Sequence, residues 1–440
     1  MARVRDRPAR KLRPDRFALS SLSTPRSLEY WLQKIESVHH REIDMGLERV
    51  RDVLERMGLS MPDYPVILVG GTNGKGSCVA FLHSMLSEQG YRVGAYTSPH
   101  LVRYNERIRL ADRLAGDEEL VAAFEAIDQA RGDVPLTYFE FGTLAAVKLF
   151  RDKAMDVAVM EVGMGGRLDA VNALEPLGVL LTNVGLDHQT WLGETREQIG
   201  REKAGIFRQG VPAVCADPAV PESVLSAARQ TGADLALVNR DYTWRIEGDR
   251  WSWQFGDQSV TFPAPALHGK FQVGNAAAVI TLLSMIEQPL PVSRQAMEHG
   301  LTRVSLPGRL QIINESPLRM VDVAHNTESV SELAAYLRDL DHDGKIIAVC
   351  GMLRDKPVEK VLALMADEVD EWHFGSIHDK RGAMARELAA ALSRVAPQAL
   401  AISHDSVKAA WQAATAAQKA DDIVIAFGSF YSVGDIISLY

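Results

Sequence analysis

Short apolar runs alternate with longer amphipathic segments along the chain, a pattern that predicts buried strands joined by helices. Residues 27–58 have a helical pattern, and the continuously apolar run 66–69 that follows is typical of a strand covered on both faces. A helix is predicted over about 75–89 and a second strand over 92–96, and this order implies a right-handed crossover and a parallel sheet. Further buried strands are predicted at 156–160 and 178–182.

Aromatic alternation sets residues 242–255 apart from this pattern. Aromatic positions alternate on either side of a turn at 247–250, which predicts a β-hairpin stabilised by cross-strand aromatic pairs. Packing of the hairpin on the main sheet is the preferred interpretation. A stacking platform for a base or a pterin is the alternative.

Around Arg303–Pro307 the chain enters a second region of alternating strands and helices. A chain of 440 residues exceeds the roughly 250–300 residues at which single cores stop growing, so two domains are expected. Strands of the second region are predicted at 319–324, 345–351, 371–375 and 423–427, and helices at 329–340 and 407–418.

Composition and charge exclude several classes of protein. Hydrophobic residues make up 47% and charged residues 24% of the chain, which is ordinary for a globular protein. The net charge of -9 argues against a nucleic-acid-binding surface. No apolar run reaches the ~18 residues that span a bilayer. Three widely spaced cysteines, without metal-type spacing, indicate a reducing compartment and hence a cytoplasmic location.

The first 24 residues are rich in arginine and have no apolar segment behind them, so they are not a secretory signal. We interpret residues 1–24 as a disordered basic tail. An organelle transit peptide is the alternative.

The segment Gly70-Gly71-Thr72-Asn73-Gly74-Lys75-Gly76-Ser77 lies between the first predicted strand and helix. Glycines let backbone N–H groups approach phosphate oxygens, and the helix N-terminus adds partial positive charge. Lys75 would reach the β- and γ-phosphates. The segment departs from the pattern G-x-x-x-x-G-K-[ST], because Val69 replaces the first glycine and Gly76 separates Lys75 from Ser77. A glycine-rich turn is the alternative interpretation.

This loop resembles that of the Mur-ligase superfamily, and the glycine after the lysine resembles its folate branch. Five further segments, at 97–101, 161–169, 186–188, 202–206 and 322–326, occur in the order found in the dihydrofolate synthase/folylpolyglutamate synthase family. The resemblance covers almost the whole chain. It implies the α/β class, with an N-terminal P-loop ATPase domain at 25–303 that contains a parallel sheet and a C-terminal Rossmann-like α/β domain at 304–440.

The same resemblance implies an activity. The enzyme would be an ATP-dependent ligase that adds L-glutamate to dihydropteroate and to tetrahydrofolates through an acyl phosphate. Its partners would be these small molecules, with no nucleic acid and no membrane, and it would act as a monomer. The alternatives are folylpolyglutamate synthesis alone, a cell-wall amino-acid ligase of the same superfamily and, outside enzymes, a P-loop nucleotide switch.

Residues for the nucleotide and the metal follow from the matching segments. Glu161 comes directly after a buried strand, at the sheet edge where α/β proteins bind ligands. By resemblance, Mg²⁺ is held by Ser98, Glu161 and His188, with Ser77 close by, and K⁺ is an additional candidate ion. ATP is bound by Thr72, Asn73, Gly74, Lys75, Gly76 and Ser77, with Asn275 at the adenine, Arg309 at the phosphates and Asp322 at the ribose.

The catalytic residues implied are Lys75, Lys203 and His325. Lys203 would carry an N6-carboxyl group from CO₂, which replaces a cation with an anion, and His325 would approach the phosphoryl group. Two positions depart from the family pattern. Thr327 stands where proline is usual, and Phe271 stands where many relatives have histidine.

A pocket for the pterin is predicted from an aromatic pair beside a carboxylate. Tyr138 and Phe139 would contact the flat ring, and Glu140 would pair with its amino-amidine edge. Alternatively, the two aromatic residues are core residues that open a helix. By resemblance, the substrate-binding residues are Ser37, Val38, His39, His40, Thr137, Tyr138, Phe139, Glu140, Leu168, Asp169 and Ala170.

Overall fold

The computed structural model describes residues 27–39 and 43–440. The basic tail predicted at 1–24 and the predicted substrate residue His40 lie outside the described residues. No helix of the described ranges is long and apolar enough to cross a membrane.

An eight-stranded sheet forms the N-terminal part of the molecule. In spatial order its strands are β4-β3-β2-β5-β1-β6-β7-β8, parallel except for β3 and β4 at one edge. β1 is therefore central, between β5 and β6. The strands are β1 (Val66–Gly70), β2 (Val93–Tyr96), β3 (Ile108–Leu110), β4 (Arg113–Leu114), β5 (Val157–Glu161), β6 (Gly178–Leu181), β7 (Pro212–Cys215) and β8 (Asp234–Leu237).

Helices cover both faces of this sheet, which explains why its central strands are apolar throughout. The first predicted helical region is broken into two helices, and the helix after the loop occurs as predicted. The helices are α1 (Leu28–Val38), α2 (Glu48–Arg56), α3 (Lys75–Glu88), α4 (Asp117–Arg131), α5 (Tyr138–Asp152), α6 (Gln189–Leu192), α7 (Arg196–Lys203), α8 (Glu222–Thr231), α9 (Lys270–Met285) and α10 (Arg294–Arg303).

The predicted hairpin is confirmed, and a third strand extends it into a small antiparallel sheet of β9 (Tyr242–Glu247), β10 (Arg250–Phe255) and β11 (Gln258–Pro263). This sheet packs on α9, which itself covers the main sheet, and its buried aromatic residues share one apolar cluster with residues of the main sheet, as the preferred interpretation predicted. The indole N–H of Trp253 donates to Thr281 of α9 at 2.9 Å. Trp251 and Trp253 are buried, while Trp244 lines a cavity.

A six-stranded sheet forms the C-terminal part, in the order β12-β13-β17-β14-β15-β16, with β12 antiparallel to the rest. Its strands are β12 (Gln311–Glu315), β13 (Leu318–Val321), β14 (Ile346–Cys350), β15 (Glu371–Gly375), β16 (Leu400–His404) and β17 (Ile423–Phe427). Its helices are α11 (Thr327–Arg338), α12 (Val358–Met365), α13 (Ala385–Val395), α14 (Val407–Ala417) and α15 (Phe430–Ile437).

The four strands predicted in this part all occur, and the α/β class with two parallel-rich sheets is confirmed. The sequence did not predict β12 or β16. The strand β16 lies at the sheet edge with Leu400 and Ile402 exposed, so it lacks the continuous apolar pattern of a buried strand. The domain boundary between residues 303 and 304 stays a prediction.

Candidate functional site

A cavity of about 1870 Å³ lies beyond the carboxyl ends of the N-terminal strands and extends to the C-terminal sheet. It is lined by the loop after β1, by the ends of β5 and β6, and by residues from both parts of the chain. Nearly all predicted site residues in the described ranges line it. The exceptions are Ser37, Val38 and Lys203.

Two glycines give the loop after β1 its shape. Gly74 precedes α3 with φ of 82°, and Gly71 has φ of 141°, both in the region that favours glycine. A Cβ on Gly71 would lie 1.8 Å from the hydroxyl of Thr182. That hydroxyl donates to the carbonyl of Asn73 at 2.6 Å, while the side chain of Asn183 accepts from the N–H of Asn73 at 2.8 Å. The end of β6 therefore fixes the loop.

Gly76 lies where the loop approaches Arg309 and Glu161, which line the cavity opposite the loop. A Cβ at this position would lie 3.9 Å from both the Arg309 guanidinium and Oε2 of Glu161. Lys75 donates to the carbonyl of Thr72 at 3.0 Å, and burial lowers its pKa, with Glu161 the main opposing influence. The side chains of Lys75, Arg309 and Glu161 thus surround a small open volume at the start of α3.

The predicted metal ligands have suitable chemistry for a divalent cation beside phosphates. Burial raises the pKa of Glu161, whose Oε2 accepts from the backbone N–H of Ser98 at 3.2 Å. Burial lowers the pKa of His188 to about 4, so its imidazole is neutral and able to ligate. In the described ranges, no group of three or more His, Cys, Asp or Glu is arranged to hold a metal unaided. One carboxylate, one imidazole and hydroxyls fit Mg²⁺ once phosphate and water oxygens complete the shell.

Lys203 lies at the last residue of α7, buried behind the loop. Its ammonium donates to the carbonyl of Gly71 at 2.7 Å. Burial and the nearby charge of Lys75 lower the pKa of Lys203 to about 7. An amine with this pKa is substantially neutral at physiological pH, unlike an ordinary lysine.

Asp187 joins the N-terminal part to the C-terminal part. Lys356 pairs with it at 2.8 Å, and Nε2 of His325 lies 3.6 Å from its other oxygen. Burial opposes ionisation of Asp187, but His325 and Lys356 outweigh it and hold its pKa well below the usual range. Nδ1–H of His325 donates to the carbonyl of Val323 at 2.8 Å, which leaves Nε2 toward the cavity.

Asn73 of the loop also contacts the C-terminal part. Its side chain pairs with the Asn326 amide at 2.9 Å and donates to Glu328 at 3.1 Å. Asn326 is the N-cap of α11, so Thr327 occupies the first helical position. Proline is favoured there but not required, so the departure at Thr327 leaves the helix start intact.

The predicted pterin residues open α5, and they also line the cavity. Thr137 caps this helix and forms a reciprocal capping box with Glu140. Tyr138 and Phe139 are partly buried against the core and line the cavity, so their packing on the core is confirmed, while contact with a pterin ring stays a prediction. A Cβ on Gly163 would lie 2.6 Å from the ring of Phe139, which shows how closely the backbone approaches it.

Glu140 is more constrained than its predicted role requires. One oxygen accepts from the backbone N–H of Thr137 at 2.7 Å, and Arg49 pairs with the other at 3.0 Å. Arg49 also pairs with Asp44 at 2.7 Å, and Asp44 lies 3.2 Å from His39. Both oxygens of Glu140 therefore have partners, so pairing with a pterin edge would require Arg49 to move.

Asp169 is a second buried carboxyl group on this side of the cavity. It accepts from the backbone N–H groups of Met164 at 2.9 Å and Val171 at 3.1 Å. Burial raises its pKa to about 7. The cap of the short turn Ala170–Ala173 places it beside the predicted residues Leu168 and Ala170.

The residues predicted for the nucleoside lie around the start of α9 and the end of β13. Asn275 approaches Gly74 and donates to Gln272 at 3.0 Å. Asp322 accepts from two backbone N–H groups, each at 2.7 Å, and burial raises its pKa. Phe271 lines the cavity and packs against the C-terminal core, so a hydrophobic contact stands where many relatives have histidine.

Sequence reasoning missed several polar residues of the cavity. Most contact residues that lie far away along the chain, although Arg107 lies seven positions from its partner His100, and none belongs to a segment with a recognisable spacing. Those that line the cavity are Arg107, Asn183, Glu328 and Lys356, and Arg49 pairs with the cavity residue Glu140.

Comparisons with known proteins match both parts of the chain. Residues 69–283 match the Mur ligase middle domain, and residues 308–430 match the Mur ligase glutamate ligase domain. The dihydrofolate synthase/folylpolyglutamate synthase of Escherichia coli is 40% identical over 94% of this chain and 95% of its own length.

Solved structures agree with this likeness. A structure described as E. coli FolC in complex with DHPP and ADP superposes with a TM-score of 0.90 and 40% identity, over 94% of this chain and 97% of that one. A bifunctional folylpolyglutamate synthase/dihydrofolate synthase with Mn, AMPPNP and L-glutamate bound gives a TM-score of 0.87 and 40% identity, over 94% and 98%. The chain belongs to the dihydrofolate synthase/folylpolyglutamate synthase family of Mur ligases.

Proposed function

We propose that this chain is an ATP-dependent ligase that joins L-glutamate to dihydropteroate and to tetrahydrofolates. One observation carries the proposal. A single cavity is lined by the predicted phosphate-binding loop at residues 72–77, which ends at Ser77, by the carboxylate of Glu161 and by Ser98. The aromatic residues Tyr138 and Phe139 line the same cavity. A nucleotide and a flat aromatic acid can therefore meet in one space.

The nucleotide would occupy the loop between β1 and α3. The N–H groups of residues 72–77 would cradle the phosphates, and Lys75 and Arg309 would neutralise them from opposite sides. Asn275 and Asp322 would face the nucleoside. Positioning and charge neutralisation supply most of the rate enhancement in phosphoryl transfer, so a preformed cationic cradle fits this chemistry.

Ser98, Glu161 and His188 would hold Mg²⁺ together with phosphate oxygens, with Ser77 nearby. The ion would neutralise charge on the phosphates. K⁺ as an additional ion stays a prediction.

Lys203 is the site we propose for N6-carboxylation. Its lowered pKa supports this, because CO₂ reacts only with the neutral amine. A carboxylated nitrogen keeps one N–H, so it can still donate to the carbonyl of Gly71. The modification would replace a buried cation beside Lys75 with an anion.

The acid substrate would lie with its pterin between Phe139 and the segment Leu168–Ala170 and its carboxylate toward the loop. A carboxylate oxygen attacks the γ-phosphorus, and the bond from phosphorus to the bridging oxygen breaks to release ADP. The glutamate amine then attacks the acyl carbon, phosphate leaves, and the amine loses a proton. His325 would approach the phosphoryl group from the C-terminal part.

ADP formation tests this proposal directly. Protein is incubated with ATP, Mg²⁺ and L-glutamate, together with dihydropteroate, with tetrahydrofolate, or with neither. Turnover with both acids supports two activities, and turnover with tetrahydrofolate alone supports folylpolyglutamate synthesis only. ADP release without any acid would favour a nucleotide switch over a ligase.

Replacing Lys75 by Ala should reduce acid- and glutamate-dependent ADP release by at least about 100-fold, because a transition-state charge contact in a buried site is lost. Lys148→Ala is the control, since Lys148 pairs with Asp152 on α5 away from the cavity. Equal activity of both variants would refute the site. A monomeric state and a cytoplasmic location stay predictions.

A further inference from the structure

Arg107 is a buried cation that lines the cavity and whose role the proposed function leaves open. It ends the short 3-10 turn Tyr104–Arg107 and is 9% exposed. Its carbonyl accepts from the N–H of Thr97 at 2.9 Å. The segment that carries Ser98 therefore fixes the backbone of Arg107 beside the predicted metal site.

The direct contacts of the guanidinium are neutral groups. Its Nε–H donates to Nδ1 of His100 at 2.9 Å, and burial together with this guanidinium lowers the pKa of His100 to about 4. The guanidinium lies 5.4 Å from the ring centre of Tyr104 and 5.3 Å from that of Tyr138. Cation–π contacts of this kind orient the planar guanidinium, but they provide no anion for its two terminal nitrogens, which form the outer edge of the group.

The outer edge of this guanidinium has no anionic partner in the protein. Within residues 27–39 and 43–440, no carboxylate forms an ion pair with Arg107, and the polar groups that its guanidinium meets, the His100 ring and the Tyr96 phenol, are neutral. Buried charges are costly unless they are paired. A cation held in this way, facing a cavity, implies an anionic ligand.

The position of Arg107 selects among the anions that the cavity would hold. Lys75 and Arg309 already face the phosphates at the start of α3. Arg107 lies between Tyr138, in the pterin pocket, and Glu161, whose ionised form it also favours. An aromatic acid that spans these two regions would place its carboxylate at this point.

We propose that Arg107 binds the carboxylate of the acid substrate that becomes phosphorylated. This inference rests on the proposed function. The two terminal N–H groups match the planar carboxylate, and they hold the oxygen that does not attack while the other oxygen faces the γ-phosphorus. In the acyl phosphate, the retained carbonyl oxygen stays on Arg107, so the acyl carbon remains positioned for the glutamate amine.

Tetrahydrofolate offers a test that dihydropteroate does not. Dihydropteroate has one carboxylate, whereas tetrahydrofolate has an α-carboxylate as well as the γ-carboxylate that reacts. If Arg107 holds the reacting group, its loss lowers both activities alike. If Arg107 holds the α-carboxylate, only the activity with tetrahydrofolate falls, and the proposal is wrong.

Binding measurements separate recognition from turnover. We expect Arg107→Met to weaken binding of dihydropteroate, measured by calorimetry with saturating ADP, by at least about 30-fold, as expected for charge-assisted hydrogen bonds. Binding of the same pterin–aniline without its carboxylate should change by less than about 3-fold, since that ligand does not reach Arg107. Arg107→Lys should retain part of the affinity for dihydropteroate, because lysine keeps the positive charge but lacks the two parallel N–H donors of the guanidinium.

The control is Arg103→Met, because Arg103 lies in the same segment, is exposed and pairs with Asp117. Thermal unfolding distinguishes a structural role. Arg107→Met removes a buried charge that has no anionic partner but also its contacts with His100 and two aromatic rings, so these effects should largely cancel and the unfolding temperature should change little. A lowered unfolding temperature with equal loss of both ligands would overturn the proposal.

The failure of the proposed function has a different signature. Wild-type protein that forms no ADP with either acid would refute that function and the role of Arg107 with it. Wild-type turnover with both acids, combined with unchanged dihydropteroate binding in Arg107→Met, would refute the role of Arg107 alone.

Discussion

Dependence of the activity on CO₂ and pH is the sharpest consequence of the buried Lys203. Its pKa of about 7 means that about half of the amine is neutral at pH 7, about one-tenth at pH 6 and about nine-tenths at pH 8. A lysine with the ordinary pKa of about 10.4 would be neutral in only about one molecule in 2,500 at pH 7. Burial therefore raises the reactive fraction roughly 1000-fold.

The sign of the pH effect follows from the chemistry of the amine. Protonation blocks attack on CO₂, so the carboxylated fraction, and with it the ligase activity, should rise with pH through about 7. Protein is first stripped of CO₂ at low pH and then assayed for ADP formation at pH 6, 7 and 8, with and without bicarbonate. We expect bicarbonate to restore activity several-fold and, when the concentration of dissolved CO₂ is held fixed, to act faster at pH 8 than at pH 6 because more of the amine is neutral.

Carbon-13 bicarbonate provides a readout that does not depend on turnover. The wild-type protein should show a carbamate resonance that is absent from Lys203→Met, while Lys148→Met, a substitution on the surface of α5, should retain it. Lys203→Met should lose nearly all activity. Full activity without CO₂, together with no carbamate signal in the wild type, would refute the reasoning.

Two further predictions concern the loop and the contact between the two parts. Gly71→Ala should weaken ADP binding, measured by equilibrium titration, more than 10-fold. The backbone φ of 141° at this position costs roughly 1–3 kcal/mol for residues other than glycine, and the added Cβ would clash with Thr182. The control is Gly210→Ala, which should bind ADP normally because Gly210, with φ of 68°, has open space around it. Lys356→Met removes the ammonium partner of the Asp187 carboxylate and leaves His325 beside it, so it should lower the free energy of unfolding by about 1.5–3 kcal/mol in urea, as expected for the loss of a hydrogen bond to a charged group. Lys270→Met removes an exposed pair and should change it by less than about 1 kcal/mol.

The sequence predicted the elements whose burial is uniform. Strands such as Val66–Gly70 and Ile423–Phe427 are covered on both faces, so an unbroken apolar run marks them. The edge strand Leu400–His404 is largely exposed, and its polar and apolar residues give no such signal. Edge strands depend on pairing with a neighbour, which a local pattern does not encode.

The site residues also fall into two groups, those that the local sequence indicates and those that it does not. Lys75 and Glu161 follow directly from strand ends and loop geometry, because the carboxyl ends of parallel strands share one edge. The pair of Arg49 and Glu140 joins residues 91 positions apart, and nothing near either residue indicates the other. Arg107 carries no local signal, because its importance comes from lacking a carboxylate partner, a property that only three-dimensional packing defines.

The contacts between the two parts of the chain also bear on turnover. They include amide and charge contacts, such as Asn73 with Asn326 and Asp187 with Lys356, beside apolar contacts of Leu101 and Phe271 with the C-terminal clusters. Polar interfaces between domains favour relative motion, so such contacts can form around bound substrates and release products. Asp187 precedes His188, and Asn73 belongs to the loop. Closure of the interface would therefore act directly on the predicted phosphate-binding loop and the predicted metal ligand, and it would link exclusion of water from the acyl phosphate to completion of the site.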